Sequence, residues 1–316
     1  MALTRRRLLL VLGGAAAAGA AAHFGLPRPR EATRRGSALG TTVAMTASGP
    51  DPEGALDAAF AELRAVEEAM SLYRPLSQIR RLNHDGVLHS PHPYLVEVMT
   101  QARRLSERSG GAFDVTVQPL WDLCSRETTP SDRDLSAALE RVDWRRVAVD
   151  RDRIALGPGM AVTLNGIAQG YATDRALAAL RSRGVVHAIV DAGEIGAAGR
   201  PRTVGIQHPR VPGAWIDLAR LEGRCMATSG DYGAASPGGP PLRHLFDPRT
   251  GRTPAHFAGV TVVSGSATEA DGLSTAVFVA GLERGLGLIE AAGAEALFVF
   301  KDGSVKATKG FPRADA

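Results

Sequence analysis

Cysteine is almost absent from this chain, with only Cys124 and Cys225 among 316 residues. So few thiols exclude a disulfide-stapled scaffold. The two lie 101 residues apart; one disulfide in an oxidising compartment and two lone buried thiols are both open readings. Aromatic residues are also scarce, at 5%. Positive charge is in only slight excess, at a formal +4. Arg5, Arg6 and Arg7 account for most of it, and the first 22 residues carry no acid, which leaves about +1 for the rest. A nearly neutral, aromatic-poor chain has no broad basic surface for nucleic acid. Repeats at solenoid periods are missing. So is any long apolar run beyond the N-terminus, which excludes a later membrane span.

What is present begins with a leader. Residues 1–22 join a basic start (Arg5–Arg7) to an apolar run from Leu8 to Ala22, the layout of an export signal. The run is about 15 residues, short for a span of about 20. Thr4-Arg5-Arg6 ahead of it looks like a twin-arginine signal, which implies a periplasmic destination. An ordinary secretory signal or an uncleaved anchor is the other reading. No cysteine follows the run, so a lipoprotein is not expected. Residues 23–36 are Pro- and Arg-rich and predict a flexible linker, leaving 37–316 for the folded domain. With 44% hydrophobic residues, that stretch can bury a proper core.

Periodicity predicts mixed elements. Thr41–Ala47 reads as a strand, and Asp51-Pro52-Glu53 opens a helix with apolar residues every three to four positions from Leu56 to Met70. Helices are expected over 93–109, 131–140 and 166–184. Short strands are expected over 147–150, 154–156, 161–164, 185–193, 203–207, 215–223 and 260–264. Residues 296–305 read as a hairpin around Asp302-Gly303. Strands and helices are mixed without strict alternation, so the expected class is α+β.

Several strings carry chemistry. In residues 267–281, Asp271 and Thr275 are four apart on a predicted helix and share a face in an apolar segment. A buried carboxylate needs a partner, and a hard cation such as Mg²⁺ takes oxygen ligands; an aspartate capping its own helix is the plainer alternative. Residues 165–171 form a Gly-rich helix start, where backbone at Gly166 and Gly170 can approach a ligand and free N–H groups attract phosphate. Asp114 follows a helix stop and equally suits a turn that bonds its own backbone. Tyr73 lies just past a helix end, placed either to stack on a flat ring or to join the core. Residues 227–233 and 243–251 read as polar loops bearing Asp231, Tyr232, His244 and Asp247.

Taken in order, these strings resemble one family, the FAD:protein FMN transferases or ApbE family. The matching strings are LGTT (39–42), MSLYRPLSQIRRLN (70–83), GGAFDVTVQPLW (110–121) and LNGIAQGYATD (164–174). VDAGEIGAAG (190–199), ATSGDYG, HLFDPRTG (244–251) and ATEADGLSTAVFVAG (267–281) complete the set. The resemblance implies two related strand–helix halves around a nucleotide cleft. It implies Mg²⁺-dependent cleavage of FAD, with FMN passing to a Thr or Ser hydroxyl of an acceptor protein and AMP leaving. Metal ligands would be Asp271, Thr275 and the backbone carbonyl of Ala168. The flavin nucleotide would be held by Leu39, Tyr73, Ala112, Phe113, Asp114, Gln169 and Asp247. His244, with Asp271, would be catalytic, His244 as the base for the acceptor hydroxyl. Many members have Asp at Thr163, Gly at Asn165 and Lys at Gln169; Leu39 stands where Met is frequent. The leader without a lipobox, joined to LNGIAQGYATD (164–174), also resembles the NosX branch, whose members are linked to flavinylating a membrane partner of nitrous-oxide reductase. An FAD pyrophosphatase with the same ligands, or a flavin-binding accessory protein without turnover, are the competing readings.

Overall fold

A polar, arginine-bearing segment begins the described part of the molecule. The structure, a computed structural model, describes residues 30–125, 130–231 and 244–314. The expected leader, residues 1–22, and Tyr232 lie outside them. The linker expected over 23–36 is corrected from Arg30 onward. That stretch is strand β1 (Arg30–Ala38), paired antiparallel with β2 (Thr41–Gly49) along its whole length. Composition misled because β1 is a sheet edge, where charge is tolerated and discourages further pairing. Arg34 points to Glu53 at 2.8 Å and also to Asp57.

The two-residue turn between them, Leu39 and Gly40, has φ of +53° and +75°. Tight hairpins favour such left-handed turns, but leucine adopts this conformation reluctantly.

The chain then forms α1 (Pro52–Met70), α2 (Gln78–Asp85), β3 (Val87–His89), α3 (Pro93–Arg108), α4 (Gln118–Cys124) and α5 (Asp132–Leu139). Next come β4 (Ala148–Val149), β5 (Arg153–Ala155), α6 (Ala168–Ser182), β6 (His187–Asp191), β7 (Ile195–Ala198), β8 (Arg202–Gln207) and β9 (Trp215–Leu221). The last elements are β10 (Cys225–Gly230), β11 (Phe257–Ser264), α7 (Ala267–Ala280), α8 (Leu282–Ala291), β12 (Glu295–Phe300) and β13 (Val305–Ala307). The expected α+β class holds.

Eight strands form one sheet in the order β1-β2-β6-β7-β10-β11-β12-β13, all neighbours antiparallel. The order divides into two four-strand halves, each a hairpin, helices, then a second hairpin. They meet where Cys225 and Met226 face Gly196 and Ile195. One sheet face carries the helices over the main core, which includes Leu56, Leu63, Leu177, Val260, Phe278 and Phe298. The other face is covered by β8 and β9 through Ile189, Val204, Leu221, Met226, Val263 and Leu297. Every residue of β11 is buried because both its faces are covered.

Two expectations change. Residues 161–164 form no strand: the backbone of Val162 is satisfied by the Asn83 side chain, which accepts from its N–H at 2.7 Å and donates to its carbonyl at 2.8 Å. A side-chain amide here does the work of a neighbouring strand. Residues 227–230, read as loop, belong to β10, where Ser229 pairs with Val260. Cys124 and Cys225 form no disulfide, and burial pushes the Cys225 thiol up to about 12.

Candidate functional site

The site forms where α6 of the first half crosses α7 of the second. Gly170 permits the close approach: a Cβ there would lie 2.7 Å from the Asp271 Cβ and would also strike the Ala267 carbonyl. Its N–H, expected to be free for a phosphate, donates instead to Asp271 Oδ2 at 2.9 Å. Asp271 is 4% exposed and has no ion-pair partner among the described residues. Burial pushes its carboxyl up to about 7, opposed by the Gly170 N–H.

Thr275 lies one helical turn on. Its Oγ1 is 3.0 Å from Ser229 Oγ, which is 2.7 Å from Ser274 Oγ. A Cβ at Gly166 would lie 2.9 Å from Thr275 Oγ1, so this glycine keeps space beside the hydroxyl. A buried carboxylate without a cation, next to hydroxyl oxygens, is a donor set that fits a hard divalent ion. Among the described residues no cluster of three or more His, Cys, Asp or Glu could hold a metal. Further oxygens must come from hydroxyl, carbonyl or ligand.

A cavity of about 470 Å³ opens beside the start of α6, lined by Leu39, Gly40, Met70, Ser71, Leu72, Tyr73, Asn165, Ala168 and Gln169. The strained Leu39 is tied at both backbone groups. Its N–H donates to Glu67 Oε1 at 3.0 Å, and its carbonyl accepts from Gln169 Nε2 at 3.4 Å. Gln169 also packs under Gly193, where a Cβ would come within 2.7 Å. Tyr73 is 71% exposed at the rim, available to stack on a ring. Thr163 Oγ1 accepts from Asn165 N–H at 3.2 Å, a turn bond that an aspartate there would also make.

Helix α6 is held firmly behind this wall. Tyr171 Oη donates to Glu97 at 2.7 Å. Arg175 reaches Glu62 at 3.0 Å and Tyr94 Oη at 2.6 Å, with its guanidinium 4.4 Å from the Tyr94 ring centroid.

Other expected residues sit differently. Asp114 is 8% exposed and caps a 3₁₀ turn, Val115–Val117. Its Oδ1 accepts from Thr116 N–H at 2.8 Å and Thr116 Oγ at 2.6 Å; Oδ2 accepts from Trp144 N–H at 3.2 Å. Burial raises its carboxyl despite these bonds. It is therefore the backbone-bonding turn aspartate of the plainer reading. Ala112 and Phe113 are buried, and Phe113 packs towards Gly166, with Cε2 3.4 Å from a Cβ built there. None of these three lines the cavity.

Asp247 accepts twice from the Arg249 guanidinium, at 2.9 Å for each oxygen. Burial opposes ionisation, but Arg249 prevails and holds it below the usual carboxylate range. His244 is half-buried, and the following Leu245 and Phe246 are buried. Phe246 packs with Leu120, Leu123 and Ala138 and so anchors that loop to α4 and α5.

Two residues escaped the sequence argument. Ser229 sat in a string read as loop, so its inward direction was invisible. Asp174 accepts from Ala267 N–H at 2.8 Å, Thr268 N–H at 2.9 Å, and the Ser266 and Thr268 hydroxyls at 2.6 Å each. Its spacing of four from Gly170 was the available signal.

A helix-face Asp/Thr pair thus lies near a cavity where two like halves of an α+β frame meet. The sequence model of the ApbE family matches residues 39–298, and the chain belongs to that family. It is 30% identical to the FAD:protein FMN transferase of Vibrio cholerae over 260 residues, spanning 76% of this chain and 77% of that one. It is 27% identical to that of Salmonella typhimurium over 301 residues, 87% and 86% of the two chains. Among solved structures, the flavinyl transferase ApbE of Pseudomonas stutzeri, in its apo form, superposes with TM-score 0.78 at 32% identity, covering 90% of this chain and 96% of that one. The apbe protein of Thermotoga maritima superposes with TM-score 0.82 at 27% identity, covering 90% and 100%.

Proposed function

We propose that this protein is an FAD:protein FMN transferase that uses Mg²⁺ and acts after export, on an acceptor held at the membrane. The carrying observation is the pairing of two features within one family frame. One is the buried Asp271, whose carboxylate accepts only the Gly170 N–H among the described residues, one helical turn from the Thr275 hydroxyl. The other is an open cavity at the start of the same helix α6.

In this reading Leu39, Tyr73 and Gln169 bind the flavin half. Asp271, Thr275 and the Ala168 carbonyl would hold Mg²⁺. Bound there, Mg²⁺ would supply charge neutralisation for the pyrophosphate oxygens. The acceptor hydroxyl oxygen attacks the FMN-side phosphorus. A P–O bond forms to the acceptor, the pyrophosphate P–O bond breaks, and the electron pair leaves on AMP. The hydroxyl proton passes to His244, imidazole being a side chain suited to act as a base near neutrality. Phe113 packs beside Gly166 from behind the site, while the neighbouring Asp114 holds its turn through Thr116 and Trp144 and Ala112 is buried. Asp247 braces the His244 loop through Arg249.

The test mixes the chain with FAD, Mg²⁺ and a protein bearing an acceptor threonine. A covalent FMN mass shift with equimolar AMP, needing both Mg²⁺ and acceptor, is the expected result. AMP without the shift would mean hydrolysis by water, and bound FAD with neither product a flavin carrier. Export is tested by the cellular fraction in which the protein accumulates. Placement in the NosX branch rests on the leader joined to the string LNGIAQGYATD, and the absence of any co-exported flavinylatable partner would sink it.

A further inference from the structure

The crossing of α6 and α7 contains a reciprocal exchange. Helix α6 has no side-chain cap of its own: its N-cap is Ile167, and Asp271 from α7 takes the Gly170 N–H in the first turn. Helix α7 receives Asp174 from α6 on its first-turn Ala267 and Thr268 N–H groups. Each helix thus places a carboxylate on the positive end of the other, where the N–H groups lack intrahelical partners.

The two carboxylates are not equivalent. Asp174 accepts four strong hydrogen bonds, two from backbone and two from hydroxyls. Three of them converge on Oδ2, so its lone pairs are used. Asp271 accepts one. Capacity to take a cation is therefore left on Asp271. Asp271 and Thr275 lie four and eight residues beyond Ala267, on a helix whose first turn is pinned by Asp174. A slip of α7 along α6 would carry both away from the Gly166–Ala168 backbone. Across this contact Asp174 makes four directional bonds to the start of α7, against the one that the Gly170 N–H makes to Asp271.

We infer that Asp174 is a positioning residue for the metal site, setting the register of α7 against α6 so that Asp271 and Thr275 face the start of α6. This inference rests on the metal reading proposed above. Outer-shell partners of metal ligands typically contribute about 10–100-fold to affinity.

The experiment titrates Mn²⁺, without FAD or acceptor, into the full chain and follows free Mn²⁺ by electron paramagnetic resonance. Circular dichroism and Tm are recorded in parallel. Asp174→Ala is expected to weaken Mn²⁺ binding about tenfold or more while the helical spectrum persists. Asp174→Asn, which keeps one acceptor oxygen, should recover part of the loss. A lowered Tm with unchanged Mn²⁺ affinity would reduce Asp174 to an ordinary cap and overturn the inference. Asp271→Ala is measured alongside. If wild type binds Mn²⁺ no better than Asp271→Ala, the metal reading itself fails, which is a distinct result. Should Asp174→Ala not fold, Thr268→Val removes a single donor of the clamp. It should weaken Mn²⁺ binding severalfold, and an unchanged affinity would again overturn the inference.

Discussion

The two halves of the large sheet share a plan and differ in what they place between their second and third strands. In the first half, residues 71–167 separate α1 from α6 and bring in α2 to α5, the small sheet β3-β5-β4, Tyr73 and Asp114. In the second half, Gly281 alone separates α7 from α8. The first half thus supplies the cavity wall, and the second supplies the buried Asp271 and Thr275. Like frames bring two helix starts side by side, and the chemistry arises from how they differ. The same contrast appears in the exchanged aspartates, one saturated with donors and one left open.

That contrast can be broken at several points. Asp271→Ala removes the open carboxylate from the second half. Transfer should fall by about a thousandfold, the scale of several kcal/mol of charge stabilisation, with fold and FAD binding kept. Steady-state rates and flavin fluorescence check it, and full activity would remove Asp271 from the metal reading. His244→Ala tests the loop between β10 and β11 and should slow acceptor modification about 100-fold. FAD affinity should change far less, so a parallel loss of affinity would reassign His244 to binding.

Gly170→Ala attacks the junction from the first half. The added methyl meets Asp271 and the Ala267 carbonyl, so a loss of about 1–3 kcal/mol of stability is expected, with weaker Mn²⁺ binding. Denaturant unfolding would show it; a neutral result would mean that the helices part without cost.

The smallest effect concerns Asp231, which accepts from Arg210 at 2.7 Å through each oxygen and contacts Lys301. Burial opposes its charge, but Arg210 and Lys301 hold it below the usual range. Its contribution to stability is therefore present at neutral pH and lost as pH falls through the folded pKa. Asp231→Asn should lower Tm by about 1–3 °C at pH 7 and by nothing near pH 2. An equal loss at both values would show that packing, and not charge, holds this contact.

Much of the frame was legible because its signals are local. The Pro-opened α1, the apolar stripe from Leu56 to Met70, the Gly-rich entry to α6 and the Asp-Gly turn between β12 and β13 all declare themselves within a few residues. The Asp271/Thr275 spacing was legible for the same reason. Strand β1 was not, because its polar residues are accommodated by pairing with β2 at the sheet edge, an interaction absent from its own composition. The false strand at 161–164 failed through Asn83, about 80 residues away in sequence. Asp114 could not be placed, since a turn aspartate and a ligand-facing one share the same local pattern.

By itself the sequence determined the class, the family and the helix-face spacing of Asp271 and Thr275, since these follow from residue type and short-range spacing. The tertiary structure alone decided what each polar group has left to offer. It used the Gly170 N–H on Asp271, filled Asp114 and Asp174 with donors, and left the Asp271 carboxylate with one donor among the described residues. The physical reason is that a carboxylate's availability depends on the donors packed around it, and those donors come from across the fold.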